Sequence, residues 1–235
     1  MALGPFDEVD AVVLDAGGVL MLPDPEAFRH RLAPFGVVPD DAACVQAHYA
    51  GVAVIDGLGV ADYVEADRSM ARLFGVDEAD VDAAAAAIEA VYLEEPFVPI
   101  LGVADALRRL EASGTLLAVV SNATGRVEAD LAVHGICAVG DGDGGRAGGP
   151  AEVTVVVDSH HVGVEKPDPA IFAVALEALG VEPRRCLYVG DSVHFDVNGA
   201  AAAGLRAVHL TLLAQCAGEH LHFPALGAFV DAFLG

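Results

Sequence analysis

The stretch VVLDAGGVL (residues 12–20) runs an apolar segment into Asp15 and then, one residue later, into Gly17 and Gly18. Such a run reads as a buried strand that ends in a tight turn. It places the Asp15 carboxylate where the strand leaves the core. A charge brought that close to an apolar interior is costly unless something pairs with it, so the position asks for a function.

Working outward, four more short apolar runs end in turn residues: TLLAVVSN (115–122), VTVVVDS (153–159), CLYVGDS (186–192) and LRAVHL (205–210). Helical patterns lie between them, among them VADALRRLEASG (103–114), PAIFAVALEALG (169–180) and VNGAAAAGL (197–205), with glycines 114, 180 and 204 at their expected ends. Continuous apolar strands alternating with helices predict an α/β fold, a doubly wound parallel sheet covered on both faces. Residues 22–98 break the alternation. Amphipathic stretches such as DPEAFRHRLAPFG and DYVEADRSMARLFG fill them without a convincing strand, and Pro96 and Pro99 mark the return. The expected organisation is a Rossmann-like core over 1–21 and 99–235 with an inserted α-helical cap over 22–98. The glycine-rich segment 140–151 reads as an exposed loop. Asp141, Asp143 and Glu152 loosely mimic a calcium loop, but Arg146 stands where that motif needs glycine, so a calcium site is not expected.

Composition narrows the function. The 235-residue chain is 54% hydrophobic, with 35 acidic against 12 basic residues and a net charge of −23. That balance repels nucleic acid and anionic membrane surfaces, so neither is an expected partner. An anionic substrate has to be drawn in by local positive features. Lys166 is the only lysine in the chain. Cys44, Cys137, Cys186 and Cys216 form no CxxC pair, which suits reduced thiols better than a disulfide frame. The first basic residue is Arg29, so the start lacks the charged region of a signal peptide, and no apolar run reaches the ~18 residues of a membrane span. A soluble cytoplasmic protein is the expectation.

In an open parallel sheet, ligands bind outside the carboxyl ends of the strands. Three strand ends carry notable groups: Asp15; Ser121 with Asn122; and Asp191 with Asp196 in GDSVHFD. Lys166, in VEKPDP, precedes a helix and reaches for the same edge. Singly, each has a bland reading as a turn residue, a helix cap or a solvated lysine. Together they assemble a carboxylate nucleophile, hydroxyl and amide donors, a cation and an acidic pair, the parts of a phosphoryl-transfer site.

These segments resemble the haloacid dehalogenase superfamily, and most of all its capped phosphatase branch. VVLDAGG resembles its first motif, the strand ending in Ser121 and Asn122 its second, Lys166 in EKPDP its third and GDSVHFDVNGA its fourth. The resemblance implies that Asp15 attacks phosphorus and forms an aspartyl phosphate. It implies Mg2+ held by Asp15, the Gly17 carbonyl and Asp191, with Asp196 a ligand through water or a supporting group. Lys166 would offset charge, and Ser121, with backbone N–H groups around Gly18 and Asn122, would hold the oxygens of a small phosphorylated substrate.

One position departs from the pattern. Where the family's phosphatases carry a second aspartate, this chain has Gly17. General acid–base catalysis is worth ~10²–10⁴-fold, so its loss has consequences. Leaving groups that need little protonation would be preferred, or a cap residue such as Asp24, His48 or Asp56 would supply the proton. Alternatively, the chain would be a metal-independent 2-haloacid dehalogenase, whose carboxylate displaces halide without an acid, or a phosphate-ligand-binding protein with little turnover. The acidic pair in GDSVHFD favours the metal-dependent phosphatase.

Weaker clusters read as incidental. His160 and His161 approach Lys166, but neighbours on a strand face opposite ways. Cys216, His220 and His222 suggest zinc, yet no second ligand pair accompanies them. Arg29, Arg31, Arg68 and Arg72 are candidate readers of an anionic substrate, against the plainer expectation that nearby acids pair with them.

Overall fold

The structure is a computed structural model that describes residues 6–140, 149–211, 216 and 218–235. The chain divides into two compact units, one of them Met21–Val98 and the other built from the described residues on either side. The calcium-like Asp141 and Asp143 lie outside the described residues.

Ten strands are present: β1 (Ala11–Leu14), β2 (Met21–Pro23), β3 (Phe97–Pro99), β4 (Leu116–Ser121), β5 (Cys137–Val139), β6 (Ala151–Val153), β7 (Val155–Asp158), β8 (Cys186–Gly190), β9 (Arg206–Leu210) and β10 (Leu221–Phe223), among the described residues. Six form one sheet in the order β10-β9-β8-β1-β4-β7, and all of its pairs are parallel. The sheet is the expected doubly wound α/β core. β1 is buried along its whole length, as is β8, which explains why both read as unbroken apolar runs. From β1 the chain proceeds outward through β4 to β7, then crosses back to β8 on the other side of β1 and proceeds to β9 and β10. The order therefore reverses between β1 and β8, and ligands bind at such a reversal. Leu14 is in register with Val119 of β4 and Val189 of β8, so the residues after these three strands emerge side by side.

The first unit's helices are α1 (Pro25–Leu32), α2 (Asp41–Leu58), α3 (Tyr63–Leu73) and α4 (Val81–Glu94). Asp24, Asp40 and Asp62 cap the first three by accepting backbone N–H bonds. Phe28, Leu32, Met70, Ile88 and Val91 form this unit's core. It also holds a short two-stranded sheet, β2 with β3, which the amphipathic pattern did not reveal.

The sheet-bearing unit adds α5 (Val103–Ala112), α6 (Val127–Val133), α7 (Ser159–Val162), α8 (Pro169–Leu179), α9 (Asn198–Ala202) and α10 (Leu226–Leu234). Asp168 caps α8, which has proline in its first turn. Phe172, on that helix, packs against Val13, Val120 and Tyr188 in the core. A π-helical turn, Val193–Val197, precedes α9. Among the described residues, no helix is long and apolar enough to cross a membrane. All four cysteines are free.

Candidate active site

β1, β4 and β8 deliver their terminal residues to one edge, and the loop before α8 adds Lys166. The Lys166 ammonium sits 2.9 Å from Asp15 Oδ2 and 2.7 Å from Asp196 Oδ1. One carboxylate oxygen from each of Asp15, Asp191 and Asp196 falls within 4.8 Å of the others. All four side chains are buried. Burial, reinforced by Asp196 and Asp191, pushes the Asp15 carboxyl up to about 7 against the pull of Lys166. Burial pulls Lys166 down, but Asp15 and Asp196 outweigh it and keep the amine charged.

Each member is fixed by a local reason. Asp15 Oδ1 accepts the Ala16 N–H at 2.7 Å. Asp196 Oδ2 accepts the N–H groups of Asp191 and Ser192, both at 3.0 Å, so each of its oxygens is engaged. This carboxylate closes tightly over Gly190, where an added Cβ would lie 2.2 Å from Asp196 Cγ. Glycine at the end of β8 is what lets the π-helical turn fold back. The turn is the kind of local departure from regular helix that recurs at functional sites.

The Asn122 side chain has a structural task. Its Oδ1 accepts the Lys166 N–H at 2.7 Å, and its Nδ2 donates to the Lys166 carbonyl at 3.1 Å. The side chain is spent on positioning the lysine loop, because those two backbone groups have no strand neighbour, which leaves a substrate contact to its main chain. Ser121 is buried as the last residue of β4. Gly18 takes φ +70°, a conformation that favours glycine. At Gly17 an added Cβ would meet nothing within 4 Å.

Tyr188 escaped the sequence reading. Its hydroxyl accepts from Lys166 Nζ at 3.1 Å and donates to the Val120 carbonyl at 2.9 Å. Its signal was a phenol in the middle of an otherwise apolar strand, CLYVG.

His160 and His161 lie on helix α7, not on a strand, with rings 5.7 Å apart. The four arginines are paired with acids: Arg29 with Glu26 and Asp41, Arg31 with Glu94 and Glu95, Arg68 with Glu65 and Asp82, Arg72 with Glu65 and Glu78. Asp24 is the cap of α1, and His48 Nδ1 lies 3.1 Å from the Tyr92 hydroxyl. Asp56 lies on α2.

A sequence model of the haloacid dehalogenase-like hydrolases matches residues 9–204. The chain belongs to that family. Phosphoglycolate phosphatase 1 of Pseudomonas aeruginosa is 28% identical over 206 residues, 85% of this chain and 68% of that protein. With other curated relatives the match is closer but short: the chain spans about a quarter of their length, 24% and 22%, at 47% and 49% identity. The haloacid dehalogenase-like fold is shared with a HAD phosphatase from Thermococcus onnurineus, at 21% identity and a TM-score of 0.57, covering 95% of this chain and 97% of that one. It is shared equally with L-2-haloacid dehalogenase from Xanthobacter autotrophicus, at 20% identity and a TM-score of 0.57, covering 97% and 99%. At those identities the likeness speaks for the fold alone.

The donor set fits a hard divalent cation. Three buried carboxylates cluster beside one ammonium that touches two of them, so the cluster carries a net negative charge that a cation offsets, and all of its acidic donors are oxygens. A soft metal would want thiolate or imidazole, and this edge has neither among its converging donors.

Proposed function

We propose that the chain is a magnesium-dependent phosphatase of a small phosphorylated metabolite, acting through an aspartyl phosphate on Asp15. The observation that carries this reading is the convergence of Asp15, Asp191 and Asp196 within 4.8 Å, with Lys166 bridging Asp15 and Asp196. The phosphatase name of the long-matching Pseudomonas relative supports it.

The reaction follows from the chain's own groups. An Asp15 oxygen attacks phosphorus, forming an O–P bond as the ester O–P bond breaks and its electrons leave with the alcohol oxygen. Lys166 offsets the charge that would otherwise keep two anions apart. Ser121 and the main-chain N–H groups near Gly18 and Asn122 hold the phosphoryl oxygens. Water then cleaves the acyl phosphate and regenerates Asp15. Asp15, Asp191 and the Gly17 carbonyl would hold Mg2+, which supplies positive charge beside the transferring group. Asp196, with both oxygens engaged, orients the Asp191 loop and Lys166. Residues 22–98 act as the cap that sets specificity.

Gly17 favours one second reading. With no side-chain acid at that place, 2-haloacid dehalogenation on Asp15 remains a competing chemistry. The acidic cluster weighs against it, because a cation bound to Asp15 blunts its attack on carbon. Magnesium-dependent phosphate release from an aryl phosphate, with no halide release from 2-chloropropionate, is the expected result. Halide release unaffected by chelator would replace the phosphatase reading, and neither activity with saturable phosphate-ester binding would leave a ligand-binding protein.

A further inference from the structure

On the far side of β8 from Asp15, the strand pair β9–β10 carries a second constellation of different chemistry. His209 of β9 and His222 of β10 are directly opposite one another in the parallel register, so their side chains leave the same face of the sheet. Cys216 and His220 come from the connection between those strands. One donor atom from each of His209, Cys216, His220 and His222 falls within 4.8 Å of the others. Sequence spacing offered only Cys216, His220 and His222. The fourth donor, His209, was hidden at the end of a strand read as plain core, and only strand pairing brings it to the rest.

Two donor spacings in the cluster are those of a tetrahedral metal site. Zn–N bonds of about 2.0–2.1 Å and Zn–S bonds of about 2.3 Å, at tetrahedral angles, put neighbouring donors about 3.3–3.6 Å apart. His220 Nε2 lies 3.3 Å from His209 Nδ1 and 3.4 Å from Cys216 Sγ. Three further details point to a bound ion. His209 Nε2 lies 3.0 Å from the Asp191 carbonyl, which accepts its proton and leaves Nδ1 turned to the cluster as a bare donor. His222 Nε2 is buried and has no hydrogen-bond partner among the described residues. The Gly218 N–H lies 3.4 Å from Cys216 Sγ, and an added Cβ at Gly218 would come within 2.4 Å of the His220 ring, so glycine there admits the imidazole.

We infer that His209, Cys216, His220 and His222 form a structural zinc site. Three imidazoles and one thiolate are the donors zinc takes, and four protein ligands leave no open position for catalysis. On binding, the Cys216 thiol gives up its proton to solvent and the sulfur bonds to the metal. The ion ties β9, β10 and their connection together. Through His209 it also steadies the backbone of Asp191. The inference does not rest on the phosphatase reading, since its donors share no atom with the acidic cluster.

The test uses untagged full-length protein, dialysed against excess Mg2+ to fill the acidic cluster. Elemental analysis should find about one zinc per chain. Cobalt(II) exchanged for it should give the intense visible bands of tetrahedral coordination and a near-ultraviolet sulfur-to-cobalt charge-transfer band. Cys216→Ser should abolish the charge-transfer band. His222→Ala should weaken zinc binding more than about 100-fold, beyond the cost of outer-shell changes, in a competition with a chromophoric chelator. Should either variant fail to fold, the wild-type cobalt spectrum still decides. Protein that retains no zinc and shows weak octahedral cobalt bands without sulfur character would overturn the site, as would an unchanged charge-transfer band in Cys216→Ser.

Discussion

Lys166 and Asp196 form an ion pair with almost no exposure: their charged atoms are 2.7 Å apart, and their side chains are 2% and 1% exposed. The pair is held from both ends. Asn122 grips the backbone of Lys166, and the N–H groups of Asp191 and Ser192 grip Asp196. Such a pair does not by itself guarantee stability, because desolvation offsets much of its attraction. Its consequence is that neither partner can be removed quietly.

Lys166→Met should therefore cost about 3–5 kcal/mol of stability, the scale of breaking a buried pair, and should abolish turnover. Urea unfolding of the variant measures the first and phosphate release the second. A loss below about 1 kcal/mol, as for an exposed pair, would mean that the pair is solvated.

Asp15→Asn should leave the fold intact, because the amide retains an oxygen for the Ala16 N–H, and should lower turnover by about 10⁴-fold or more. Substantial residual activity, with a circular dichroism spectrum like the parent's, would remove Asp15 from the mechanism.

Gly17→Asp tests the missing acid. The position has open space, and its backbone is outside the left-handed region, so the side chain can be accommodated. The variant should recover part of the ~10²–10⁴-fold that general acid catalysis supplies, and only for poor leaving groups. The slope of log kcat/KM against leaving-group pKa should flatten. A uniform change across the series would count against a protonation role.

Asp67, buried on α3, has its carboxyl pushed up to about 7, first by burial and then by Glu89. The native chain then holds this proton to about 7, whereas the unfolded chain releases it near 3.8. Between those limits the native state binds more protons, so this group's contribution to stability is full below about 4 and is lost as pH rises through 7. Asp67→Asn should raise the melting temperature relative to the parent more at pH 8 than at pH 5. Equal differences at the two pH values would show that Asp67 does not titrate in this range.

Much of the architecture was legible because its causes are local. The runs ending at Leu14, Ser121, Asp158, Gly190 and Leu210 are largely apolar segments punctuated by turn residues, and each is a strand of the sheet. β2, β3, β5, β6 and β10 have three residues each, too short for a period to declare itself. Asp15 and Asp191, just after strands, with Lys166 before a helix and Asp196 in a turn, were readable as an ordered set of polar residues. Tyr188 and His209 were not, because each lies inside an apolar strand and matters only through what the neighbouring strand or loop brings to it.

The amino-acid order by itself determined which segments become strands and helices, and which polar residues stand where strands end, since turn chemistry and apolar periodicity act over a few neighbours. Folding in three dimensions is what sets Asn122 on the lysine loop, pairs the four arginines with acids, and brings His209 to Cys216, His220 and His222. Those outcomes depend on strand order and register, which bring together residues far apart along the chain.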